Sequence, residues 1–143
     1  MASKQITILH VEDDELDIIG LRRSLRAAKI ANDVVTARNG EEALDFLRGD
    51  NGRDQIQKPF VMLIDINMPR MNGIELLEEI RADTALSNTV VFILTTSDHY
   101  TDILNAYDLN IAGYLLKQEL GSEFRKAVSV LDSFWQVIEL PMQ

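Results

Sequence analysis

Glu12, Asp13 and Asp14 stand in a row, and Asp65 closes a later apolar run. Carboxylates gathered at one place repel each other. The simple remedy is a hard cation such as Mg²⁺, held through oxygen ligands and retained water. Each group also has an ordinary explanation. Acids after strands are common as turn formers and helix caps, and Asp14 or Glu15 suits the first turn of a helix. Two further groups shift the balance. Thr95, with Thr96 and Ser97 behind it, follows a fourth apolar run, and Lys117 follows a fifth. Alone, Thr95 reads as a helix N-cap and Lys117 as a solvated lysine. Together, the ends of four apolar runs carry acids, a hydroxyl and an ammonium.

The runs that must position these groups are 6–11, 34–36, 60–64, 90–94 and 113–116. Three are continuous or nearly so, which suits strands covered on both faces of a parallel sheet. Between them lie helical spacings: Ile18, Leu21, Leu25 and Ala28; Ala43, Phe46 and Leu47, opened by Asn39-Gly40; Ile74, Leu77 and Ile80; Ile103, Leu104 and Tyr107; and a last segment over about 120–138. Strand and helix alternate five times. Right-handed crossovers then predict an open, doubly wound α/β sheet with helices on both faces. In such a sheet ligands bind outside the carboxyl ends of the strands, near the switch point in strand order. The acids, Thr95 and Lys117 all fall on that edge. Gly49 through Gln55 reads as a loop, with turn residues, charge and no apolar period.

The chain has 143 residues, room for one domain with a real core. It has no cysteine, which excludes disulfide scaffolds, thiolate metal sites and cysteine nucleophiles. Its formal net charge of -9 argues against nucleic-acid binding and membrane-surface attachment. No apolar run reaches the roughly 20 residues of a membrane span, and the polar start does not read as a signal peptide. The expectation is a cytoplasmic protein, a single domain over 1–143, with no linker to a second one.

These residues resemble the receiver domain of two-component response regulators over nearly the whole chain. The similarity is carried by Leu9-His10-Val11-Glu12-Asp13-Asp14, by Leu63-Ile64-Asp65-Ile66-Asn67-Met68-Pro69-Arg70-Met71-Asn72-Gly73, by Leu94-Thr95-Thr96-Ser97, and by Gly113-Tyr114-Leu115-Leu116-Lys117. The resemblance implies a flavodoxin-like sheet of order 2-1-3-4-5. It implies that Asp65 accepts a phosphoryl group from a histidine kinase. Asp13 and Asp65 would bind Mg²⁺ directly, Glu12 through water, and Asn67 through its backbone carbonyl. Thr95 and Lys117 would each hold a phosphoryl oxygen, and Tyr114 would swing inward as Thr95 moves. Such a protein is a phosphoacceptor that catalyses only its own phosphorylation and dephosphorylation. Three departures stand out. Glu12 replaces a frequent Asp, Asn72 replaces a frequent Asp before Gly73, and Gln118 stands where most members have proline, so a trans bond is expected there.

Phe134-Trp135 followed by Glu139-Leu140-Pro141 resembles the tail of single-domain regulators that partner phytochrome-type histidine kinases. Asn67 to Met71, Thr95-Thr96-Ser97, Ala106-Tyr107-Asp108-Leu109 and the insert before Pro59 also resemble that subgroup. From Phe124 to Ile138 nine of fifteen residues are apolar. A helix lying on a sheet needs only one apolar stripe. Phe124, Val128, Leu131, Trp135 and Ile138 make one, and Ala127, Val130, Phe134 and Val137 a second. The excess predicts an extended C-terminal helix and tail over 124–143 and a homodimer through Phe124, Val130, Phe134 and Trp135. A monomer whose tail folds back on itself is the alternative.

Other classes fit less well. A flavodoxin-like cofactor binder needs a Ser/Thr/Gly-rich phosphate loop where Glu12-Asp13-Asp14 stand. A Mg²⁺-dependent phosphatase with an aspartyl nucleophile usually has a second carboxylate two residues on, where Asn67 stands. A pseudo-receiver adaptor would not need the intact acid, threonine and lysine set. The expected output is protein contact, transfer to a downstream phosphotransfer protein, or competition for kinase phosphate.

Overall fold

The structure, a computed structural model, describes residues 6–27, 32–68, 70–96 and 100–116. Five strands, β1 (Thr7–Val11), β2 (Val34–Ala37), β3 (Phe60–Ile64), β4 (Val91–Thr95) and β5 (Gly113–Leu116), alternate with four helices. The helices are α1 (Glu15–Ala27), α2 (Gly40–Arg48), α3 (Gly73–Ala82) and α4 (Tyr100–Asp108). All strand pairs are parallel and their order is β2-β1-β3-β4-β5. The expected doubly wound sheet is therefore present. The last helical segment, with Phe124, Val130, Phe134 and Trp135, lies outside the described residues, as do Ala28, Ser97, Lys117 and Gln118.

Alternation of side chains divides the core. Leu9, Val11, Met62, Ile64, Val91 and Ile93 face α2, α3 and α4 on one side. Ile6, Ile8, Val61, Leu63 and Phe92 meet Leu21 and Leu25 of α1 on the other. Every residue of β3 is buried, so its unbroken apolar run is what a central parallel strand requires. Among the described residues no helix is long and apolar enough to cross a membrane.

Helix ends follow local chemistry. Asn39 caps α2 by accepting from the Glu42 N–H at 2.8 Å, and Gly49 ends it in the left-handed region at φ 71°. The loop after α2 folds back onto that helix. Arg53 pairs with Glu42 at 3.4 Å and stacks 4.7 Å over the Phe46 ring. This covers part of a ring that the core buries only partly.

Helix α4 turns part of its apolar spacing toward solvent. Leu104 is 46% and Tyr107 50% exposed, and Ala106 is the buried residue. Leu104 and Tyr107 share a solvent face with Tyr100, 74% exposed. Apolar spacing reports that a helix has a stripe; it does not say that the stripe faces inward.

Candidate functional site

The acids meet because of strand register. β1 and β3 pair Val11 with Ile64, so the next residues along the edge are Glu12 and Asp65. The ladder continues into the site: the Asp65 N–H donates to the Val11 carbonyl at 3.0 Å, and the Glu12 N–H to the Ala37 carbonyl at 2.9 Å. Glu12 is fully buried, Asp65 nearly so, and Asp13 exposed. Their carboxylate oxygens lie within 4.8 Å of one another.

Asp14 does not join them. Its Oδ1 accepts from the Leu16 N–H at 2.9 Å and the Asp17 N–H at 3.1 Å. It is the N-cap of α1, an ordinary role for an acid after a strand, and it fixes where β1 hands over to the helix. Glu15 turns outward to pair with Arg38 at 2.7 Å.

Asp65 is held from two sides. The Thr95 hydroxyl, buried at the last position of β4, donates to Asp65 Oδ1 at 2.6 Å. The Asn67 backbone N–H donates to the same oxygen at 3.2 Å. Thr95 is thus the closing residue of the strand and not the helix cap that follows it. Tyr114 of β5 is half-buried against the core, level with Ile93 of β4.

The turn that carries Asp65 into α3 is compact. The Gly73 N–H donates to the Ile66 carbonyl at 3.0 Å, Met68 N–H to the same carbonyl at 3.1 Å, and Arg70 takes a left-handed φ of 64°. Asn72 and Glu75 form a reciprocal capping box at the start of α3. A Cβ on Gly73 would stand 2.5 Å from the Asp65 carbonyl oxygen and 2.7 Å from Ile66 Cα. Both are backbone atoms and neither can swing aside. Gly73→Ala is expected to cost about 2 kcal/mol or more by overpacking and to displace Asp65 with it. Urea denaturation checks the first effect and divalent-metal affinity the second; a variant matching wild type in both would refute this account of the turn.

Oxygen-only donors at this spacing fit one hard cation, whose ligands sit about 2.0–2.6 Å from it. Buried Glu12 and Asp65 would also gain a counter-charge. A cleft of about 650 Å³ opens beside them, lined by Asp13, Asn67, Met68, Asn72, Asp102 and Asn105 among others. Adding a divalent ion at about 100 times its dissociation constant is expected to stabilise the fold by about 2.7 kcal/mol. Thermal melting with Mg²⁺ against chelator checks this; identical melting curves would argue against the ion.

Of the residues expected from sequence, Glu12, Asp13, Asp65, Asn67 and Thr95 come together, and Tyr114 stands one strand away. Lys117 is outside the described residues. Sequence reasoning gave no role to Gly73 or to His10. Buried His10 places Nε2 4.0 Å from Glu12 Oε1. Its signal was a polar residue inside an apolar strand.

A family model described as response regulator receiver domain matches residues 8–129. Response regulator Rcp1 of Synechocystis sp. is 31% identical over 135 residues, 94% of this chain and 92% of that protein. The crystal structure of the phosphorylated cyanobacterial phytochrome response regulator RcpA superposes with a TM-score of 0.86 at 32% identity, covering 96% of this chain and 99% of that one. The Mn²⁺-bound form of Rcp1 gives a TM-score of 0.84 at 31% identity, over 95% and 99%.

Proposed function

The chain belongs to the response regulator receiver family, and from that premise we propose that it is a cytoplasmic phosphoacceptor switch in which Asp65 takes a phosphoryl group from a phytochrome-type sensor histidine kinase. The observation that carries this reading is the Thr95 hydroxyl 2.6 Å from a buried Asp65 that shares its pocket with Glu12 and Asp13. Similarity to the phytochrome regulators Rcp1 and RcpA supports the kinase class.

Phosphoryl transfer asks for an aligned oxygen nucleophile and neutralised equatorial charge. Asp65 supplies the nucleophile. Its second carboxylate oxygen forms the new O–P bond as the P–N bond of the donor phosphohistidine breaks, and the imidazole leaves with the electron pair and takes up a proton. Glu12, Asp13, Asp65 and the Asn67 carbonyl would hold Mg²⁺, which supplies charge neutralisation at the phosphoryl oxygens when bound. The Asn67 N–H and the Thr95 hydroxyl orient Asp65 beforehand.

Switching follows from charge. The product carries about -1.5 to -2 where a carboxylate carried one. Its added oxygens draw the Thr95 hydroxyl away from the Asp65 carboxylate, Lys117 pairs with another oxygen, and Tyr114 turns into the space behind Thr95. Thr95→Val keeps the shape and removes the donor. It is expected to leave transfer within about tenfold of wild type while abolishing the shift of the Tyr114 ring resonances on phosphorylation. An unchanged Tyr114 response would remove Thr95 from the switch.

The test of the whole reading is transfer of label from a phosphorylated phytochrome-type kinase with Mg²⁺, with chelator as the control. Rapid metal-dependent transfer supports it, and no acceptance from any phosphorylated kinase overturns it. The same proposal includes pairing of two copies through Phe124, Val130, Phe134 and Trp135. Light scattering of wild type against Trp135→Ala checks that part, and a wild-type monomer at micromolar concentration ends it.

A further inference from the structure

A second cavity, of about 450 Å³, lies at the opposite edge of the sheet from the acids, between the insert that precedes β3 and the α3–β4 connection. Its floor is apolar, with Leu47, Ile56, Phe60 and Leu86 all buried. Its walls are fixed by the backbone. The Ile56 N–H donates to the Phe46 carbonyl at 2.9 Å, and the Gln55 side-chain amide to the Leu47 carbonyl at 3.0 Å. Across the cavity the Leu86 N–H donates to the Asp83 carbonyl at 2.9 Å, and Arg81 grips the Ser87 and Thr89 carbonyls at 2.9 and 2.8 Å. A volume of this size with an apolar floor and a few polar groups is what small-molecule sites share.

Charge at the rim narrows the occupant. Arg48 pairs with Asp83 at 3.1 Å, and Lys58 adds a second cation to the same lining. The rim therefore carries one positive charge in excess, on a chain whose net charge is -9. We infer that this cavity is a binding site for a small amphipathic anion, a compact apolar body of one or two rings bearing a single carboxylate or sulfonate. The apolar body fills the floor beside Ile56 and Leu86, and the anion meets Lys58. The fold thereby has a ligand site independent of phosphorylation, which braces the insert against the α3–β4 connection.

The probe is anilinonaphthalene sulfonate, a two-ring apolar sulfonate, titrated by fluorescence against the full chain with inorganic phosphate as competitor. Expected is one site, weakened at least about fivefold by Lys58→Glu, closed by Ala85→Trp at the rim, and indifferent to phosphate. Lys58 is exposed, so its variant keeps the test decisive even where the bulky one fails to fold. No binding, binding that ignores Lys58→Glu, or displacement by phosphate alone would each overturn the inference.

Discussion

Asp65→Asn is expected to accept no phosphoryl label from a kinase that labels the wild type. An amide oxygen is a poor nucleophile and leaves no acyl phosphate, whereas its shape still suits the pocket. Asn keeps a carbonyl oxygen for the Thr95 hydroxyl and the Asn67 N–H, which both donate to Asp65 Oδ1. The loss is therefore chemical and not structural. A second consequence separates the two. Three carboxylates with oxygens within 4.8 Å of one another repel in the absence of metal. Removing one charge is expected to raise metal-free stability by about 1 kcal/mol, while the extra stabilisation by Mg²⁺ largely disappears. Melting curves with and without the ion read both effects. Label that persists on the variant would move the acceptor elsewhere, and a variant less stable than wild type without metal would contradict the charge argument.

Arg81→Leu is expected to be the most destabilising change away from the acids. This guanidinium, at the end of α3, donates to four backbone carbonyls: Leu109 at 2.7 Å, Thr89 at 2.8 Å, Ser87 at 2.9 Å and Asn110 at 3.1 Å. Burial lowers its pKa, yet an arginine stays charged at any working pH. The carbonyls belong to the connections that lead into β4 and β5, so one side chain sets the starting points of both strands. Leucine matches the stem and strands the carbonyls, at a cost of about 3 kcal/mol. Lysine restores a charge without the planar fork and is expected to recover less than half. Urea denaturation of the three proteins decides it, and a Leu variant within 1 kcal/mol of wild type, on the scale of a single ordinary hydrogen bond, would show the clamp to be incidental.

Nothing in the sequence marked Arg81 for this. A basic residue in the last turn of a helix is ordinary, because it complements the helix dipole. In sequence Gly73 is one residue of a longer run, and its need for a missing side chain shows when the Asp65 carbonyl approaches within 2.5 Å of where a Cβ would stand. Asp14 was one of three adjacent acids until its bonds to the Leu16 and Asp17 amides assigned it to the helix. In α4 the helical spacing is present, and packing alone decides that Leu104 and Tyr107 face solvent.

The five strands, the four described helices and the placing of acids and Thr95 at strand ends were legible in the chain itself, because periods of two and near four, and the polarity breaks that end them, are local properties. Which acids share a pocket, which glycine a backbone crowds and which arginine binds two loops together depend on atoms far apart in sequence. The β1–β3 register brought Glu12 beside Asp65, and packing through space decided the rest.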